Sequence, residues 1–108
     1  MITDYQVSKK LLDFLKDKCK DTDFEICGFI VGDDFIESEN IHPDPKNYFL
    51  IDPRKCIWGE DVILFHSHPK HIETEGFSKW DLENQLLFDL KMLLYSVKYN
   101  RFYFKKLW

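Results

Sequence analysis

His66, Ser67, His68 and Pro69 run consecutively, with Ser78 and Asp81 downstream and Glu25 well upstream. Side chains alternate along an extended strand, so His66 and His68 share one face and their imidazoles stand side by side. Pro69 then ends the strand, and Asp81 supplies a carboxylate from the start of a following helix. Two histidines and one aspartate suit Zn2+. Three protein ligands leave a fourth tetrahedral position to water, the arrangement of a catalytic rather than a structural site. The chemistry expected is zinc-dependent hydrolysis. Glu25, beside the apolar run Ile26–Val31, is the candidate to take a proton from that water and return it to a leaving amine. Zinc lowers the pKa of its bound water to about 7, so this base need not be strong.

Each residue also has a plainer role. A His-x-His pair occurs on ordinary surfaces, but here it ends an apolar strand, Val62-Ile63-Leu64-Phe65, where polar groups need partners. Ser78-x-x-Asp81 reads as an N-cap with an acidic residue at N3, a common helix start. That cap would also fix Asp81 where it can face the histidines. Glu25 in isolation is a solvated residue before a strand. His71 is an alternative ligand on a polar loop better suited to solvation, and His42 reads as loop packing. Asp33, Asp34, Glu37 and Glu39 lack the glycine and glutamate spacing of a calcium loop and read as a solvated hairpin. Arg101, Lys105 and Lys106 among Tyr99, Phe102, Tyr103, Phe104 and Trp108 could stack single-stranded nucleic acid. A half-buried strand whose lysines discourage edge pairing is the simpler account.

The elements that must position these groups follow from pattern. Ser8 caps a helix to about Lys20, with Leu11, Leu12, Phe14, Leu15 and Cys19 as its apolar stripe. Phe24–Val31 is a buried strand, Gly32-Asp33-Asp34 a tight turn, and Phe35 to about Glu39 a second strand. The prolines of 42–47 make a loop. Tyr48–Ile51 is expected as a short strand, and Asp52-Pro53 opens a helical turn through Cys56. Val62–Ser67 is the strand that delivers the histidines. After a polar loop to Phe77, a helix runs from Ser78 to about Leu90 with Leu82, Leu86, Leu87 and Leu90 on one side. Strands of about 92–99 and 101–107 close the chain. The expected fold is α+β: one domain over 1–108, a mixed, mainly antiparallel sheet, and two main helices packed on it rather than alternating regularly as crossovers.

Composition narrows the function classes. With 108 residues, 44% hydrophobic and 17% aromatic, a packed core is within reach of one domain. A net charge of −4 argues against a general nucleic-acid binder. No apolar run approaches the roughly 20 residues of a membrane span, and Met1-Ile-Thr-Asp lacks the pattern of a signal peptide. Cys19, Cys27 and Cys56 are odd in number and form no CxxC pair, which suits free thiols in a reducing cytoplasm. No nucleic-acid or membrane partner is therefore expected. Leftover aromatics near the C-terminus offer a surface for homodimerisation.

Glu25, His66-Ser67-His68-Pro69 and Ser78-x-x-Asp81 together resemble the signature of the JAMM (MPN+) metallopeptidases. Glu25-Ile-Cys-Gly28 is similar to the family's E-x-C-G segment, and Asn47-Tyr-Phe-Leu-Ile-Asp-Pro53 to its N-x-x-x-F-x-[IL]-[DS]-P region. The resemblance implies Zn2+ on His66, His68 and Asp81, with Glu25 as general base and acid. It gives Ser78 a part in stabilising the oxyanion formed when water attacks an amide. Ser67 points away from the histidines and receives no catalytic role. Two departures stand out. The segment between His68 and Ser78 is about two residues longer than usual, with Phe77 where proline often precedes the serine. The insertions with which deubiquitinating relatives grip ubiquitin are not expected in a chain of this length. The lengthened loop 70–77 should alter one wall of the substrate cleft.

The function expected is zinc-dependent hydrolysis of an amide in a peptide or protein, by a peptidase or isopeptidase. Its setting would be prokaryotic protein processing or phage tail assembly, with phage tail proteins as partners and the host cytoplasm or virion as location. The alternatives are a non-catalytic MPN-like structural or protein-binding module and a non-haem iron enzyme, whose metal takes the same two-histidine, one-carboxylate set.

Overall fold

Ser8 stands in extended backbone and its side chain accepts the Leu11 N–H, capping helix α1 over Lys9–Cys19. The computed structural model describes residues 7–107. Expectations for the first residues and for Trp108 lie outside that range. Leu11, Leu15 and Cys19 are buried along α1. Phe14, expected in the same stripe, points to solvent, because it sits about 100° around the helix from Leu15.

Five strands form one sheet in the order β2-β1-β3-β4-β5: β1 Cys27–Val31, β2 Asp34–Ser38, β3 Val62–His68, β4 Lys91–Ser96 and β5 Arg101–Lys105. All neighbours are antiparallel except β3 and β4. A parallel pair needs a crossover. Helix α2, Lys79–Phe88, lies between them in the chain. The fold is thus the expected α+β sheet, with α2 serving as its one crossover. Gly32 turns β1 into β2 in the left-handed region, φ 63°. Gly28 faces β2 so closely that a Cβ there would lie 2.3 Å from the Ile36 carbonyl oxygen.

The sheet carries a core on each face. Ile63 and Phe65 of β3 join Leu11, Leu15, Cys19, Ile26, Ile30 and Leu93 under α1. Val62 and Leu64 join Cys27, Phe29, Phe49, Ile51, Phe88 and Met92 on the other face. Every residue of β3 is buried, as a central strand covered on both sides requires. Burial pushes the Cys19 thiol up to about 11 and the Cys27 thiol to about 12, so both behave as small apolar side chains. No helix among the described residues is long and apolar enough to cross a membrane.

Three expectations need correction. Tyr48–Ile51 is not a strand, although Phe49 and Ile51 are buried. Leu50 accepts the Ile41 N–H, but its own N–H goes to the Asn40 side chain, so no ladder forms. The second helix stops at Phe88, and Asp89 turns out of it at φ 55°. Of the leucines expected inward, Leu82, Leu86 and Leu87 face outward, whereas Leu90, past the helix end, is buried. Asp81, Asn84, Gln85 and Phe88 form the buried i, i+3, i+4, i+7 stripe, while Leu86 and Leu87 are 79% and 61% exposed. The buried amides are satisfied: Asn84 donates to the Trp80 carbonyl, and Gln85 to those of Lys105 and Lys106.

Candidate metal centre

Strand β3 brings His66 and His68 onto the face that carries Leu64, opposite α1. His66 lies across from Cys27 on β1 and Leu94 on β4. Its ring stacks on Phe49 at a centroid distance of 4.5 Å and meets the His68 ring edge-on at 5.2 Å. Packing thus orients both imidazoles. Ser67 points to the other face as expected, where its hydroxyl accepts the Ile26 N–H at 2.9 Å.

Asp81 is held by a capping box. Its N–H donates to Ser78 Oγ at 3.1 Å, and its Oδ2 accepts the Ser78 N–H at 2.8 Å. The cap therefore aims the carboxylate at the histidines: Oδ2 lies 3.0 Å from His68 Nε2, and Oδ1 lies 3.1 Å from His66 Nε2. The first contact is a hydrogen bond, whereas His66 Nε2 is close without hydrogen-bond alignment. Burial works to raise the Asp81 pKa, but His66 and His68 outweigh it and hold the carboxyl well below the usual carboxylate range. Burial lowers His66 despite Asp81 beside it.

Glu25 approaches from the segment before β1 and is 1% exposed. Burial raises its carboxyl to about 10, and the nearby charges of Asp81 and Asp44 push the same way. The donor atoms of Glu25, His66, His68 and Asp81 all lie within 4.8 Å of one another. Four buried atoms here, Glu25 Oε1, His66 Nδ1, His66 Nε2 and His68 Nδ1, have no hydrogen-bond partner. Leaving a buried polar group unpaired costs about 1–3 kcal/mol, and a divalent cation would relieve His66 Nε2 and draw Glu25 to its ionised form. The spacing suits one. Each imidazole Nε2 faces its own oxygen of Asp81, at 3.1 Å for His66 and 3.0 Å for His68, so the three side chains converge on one small space with the donor types that zinc takes. The two Nδ1 atoms lack the second partner that metal-bound histidines usually have.

A groove opens in front of the cluster, bordered by Glu25, His68, Ser78, Asn47, Tyr48 and the loop after Pro69. Loop 70–77 forms one wall and is tied to the rest of the fold by side-chain contacts. Glu73 pairs with Lys98 and its carbonyl accepts the Tyr99 hydroxyl, Glu75 meets Tyr103 and Arg101, and His71 Nε2 lies 2.8 Å from the Lys46 carbonyl oxygen. His71 is thereby engaged away from the cluster. His42 packs against Tyr48 and Trp80, as loop packing predicts. Asp33, Asp34, Glu37 and Glu39 are solvent-exposed.

Asn40 carries no motif and was not anticipated. Its amide nitrogen reaches the carbonyls of Glu25, Tyr48 and Pro45, and its oxygen accepts the N–H groups of His42 and Leu50. The one available signal is an Asn leading into a proline-rich turn. Compared with models of known families and with curated proteins, the chain matches none.

Proposed function

We propose that the protein is a zinc-dependent peptidase or isopeptidase of JAMM/MPN+ type, hydrolysing an amide in an extended peptide laid along the groove. The observation that carries this is the convergence of Glu25, His66, His68 and Asp81 in a buried cluster that opens onto that groove. His66, His68 and Asp81 would hold Zn2+. When bound, zinc polarises a carbonyl and brings water to a pKa of about 7. Glu25 takes the proton of the attacking water on its carboxylate and passes it to the departing amine. Burial makes the ionised Glu25 carboxylate a stronger base toward the water proton, and the departing amine, more basic still, takes that proton from it. Ser78 lies at the groove edge, and its hydroxyl donates to the developing oxyanion while its oxygen still accepts the Asp81 N–H. Prokaryotic protein processing or phage tail assembly is the setting, with the host cytoplasm or virion as its compartment.

The test pairs two variants against a peptide library read by mass spectrometry. Glu25→Gln keeps one zinc per chain and loses cleavage, whereas His68→Ala loses both. Cleavage by Glu25→Gln at the wild-type rate refutes the assigned base. A second reading, a non-catalytic MPN-like structural or protein-binding module, draws on the exposed Leu86 and Leu87 of α2 and on Trp58, 60% exposed. A zinc-loaded wild type that binds a partner stably and never cleaves it would favour that reading.

A further inference from the structure

Glu25 Oε1 has no hydrogen-bond partner among the described residues. The backbone therefore carries much of its aim, and Glu25 and Ile26 lie outside β1, where a strand ladder would otherwise hold them. Their backbone N–H and C=O groups are nevertheless all bonded. The Glu25 N–H donates to the Pro45 carbonyl at 2.8 Å, and the Glu25 carbonyl accepts Asn40 Nδ2 at 3.0 Å. The Ile26 N–H donates to Ser67 Oγ at 2.9 Å, and the Ile26 carbonyl accepts the Ser67 N–H at 2.9 Å. Two side chains therefore do what a partner strand would do. Ser67 sits between the two histidines in sequence, so the residue that clamps Ile26 is peptide-bonded to both His66 and His68. Asn40 ties the same segment to the 42–50 loop, which forms the facing wall of the groove.

We infer that Asn40 and Ser67 are positioning residues for Glu25, fixing its carboxylate relative to His66 and His68 through the backbone of Glu25 and Ile26. The inference rests on the reading of Glu25 as the proton carrier. Preorganised groups lose much of their effect when displaced by about 1 Å, so freeing this segment should act almost as Glu25→Gln does. Ser67→Ala removes the hydroxyl acceptor and Ser67→Thr retains it. Asn40→Asp keeps the two acceptor bonds and removes the donors to the carbonyls.

Two measurements on the full chain test it. The first is acetohydroxamate affinity with one equivalent of zinc loaded, since a hydroxamate on the metal places its own hydroxyl or N–H against a neighbouring carboxylate. Ser67→Ala, Asn40→Asp and Glu25→Gln should each keep zinc and weaken acetohydroxamate about tenfold or more, the scale of one hydrogen bond to a charged group, with Ser67→Thr near wild type. The second is amide exchange in the metal-free chain, where Ser67→Ala should speed exchange at Glu25 and Ile26 by about tenfold or more and leave β4 amides unchanged. Should Ser67→Ala fail to fold, Ser67→Cys, which keeps a weak acceptor, takes its place. Wild-type acetohydroxamate affinity in Ser67→Ala and Asn40→Asp, beside a weakened Glu25→Gln, overturns the inference. If Glu25→Gln itself binds as wild type, the proton-carrier assignment fails, and exchange alone decides positioning: local loosening upholds it and wild-type protection overturns it.

Discussion

Replacing Glu25 by Gln should stabilise the metal-free protein, although it removes a group proposed to be essential. Burial and the Asp81 and Asp44 charges raise the Glu25 carboxyl from 4.5 to about 10 in the fold, whereas the unfolded chain titrates near the ordinary value. Between those two pH values the folded protein therefore holds a proton that the unfolded chain has released. The state that binds more protons loses ground as pH rises, so wild-type stability falls across this window. The limiting slope is about 1.4 kcal/mol per pH unit. From pH 4.5 to pH 7 that amounts to about 3 kcal/mol, an upper figure that water penetration would reduce. Gln fills the same space and does not titrate, so Glu25→Gln lacks this slope. All other groups titrate in both proteins, and the difference between them isolates Glu25. The assay is urea denaturation with chelator present at pH 4.5, 5.5, 6.5 and 7.5, comparing midpoints at constant m. The variant should match the wild type near pH 4.5 and lead it increasingly above. Excess zinc should close the gap, because a cation favours the ionised carboxylate. A difference independent of pH would show that Glu25 is not buried as a neutral acid, and the account of its electrostatics would fall.

Metal content by mass spectrometry, on protein purified without chelator or His tag, should give about one zinc per chain in the wild type and little in His68→Ala; iron in its place would favour the facial-triad alternative. Ser78→Ala removes the N-cap of α2 and should cost about 1 kcal/mol, a fall in Tm of about 4–8 °C for a domain of this size, with weaker zinc binding because Asp81 loses half of its capping box. Unchanged zinc affinity would mean that the cap does not aim Asp81. Gly28→Ala forces a Cβ to within 2.3 Å of the Ile36 carbonyl oxygen and should cost about 1–3 kcal/mol by overpacking. A wild-type urea midpoint would show that β2 yields freely.

The groups of the candidate site were legible because their signals are local. Alternation along a strand puts His66 and His68 on one face whatever surrounds them, and Ser78-x-x-Asp81 specifies its own capping geometry; both stand as the pattern predicts. Tyr48–Ile51 was misread because alternate burial of Phe49 and Ile51 mimics a strand. The partner that would make it one is replaced by the Asn40 side chain, which no periodicity can announce.

The misreading of α2 has a different cause, and it bears on function. Hydrophobic pattern places leucines inward, and an isolated amphipathic helix would obey it. Here the capping box and the contacts of Asp81 with His66 and His68 dictate which side of the helix faces the sheet. With Asp81 inward, the i+3, i+4 and i+7 positions follow it, so Asn84 and Gln85 are buried and need the carbonyls of Trp80, Lys105 and Lys106. Leu86 and Leu87 are left in solvent. Burying those leucines at about 1.5–3 kcal/mol apiece would turn Asp81 away from both imidazoles and leave its charge without them. Presenting one carboxylate to two buried imidazoles therefore takes precedence over the apolar pattern, and that conflict within ten residues is itself a sign that α2 serves the site before it serves the core.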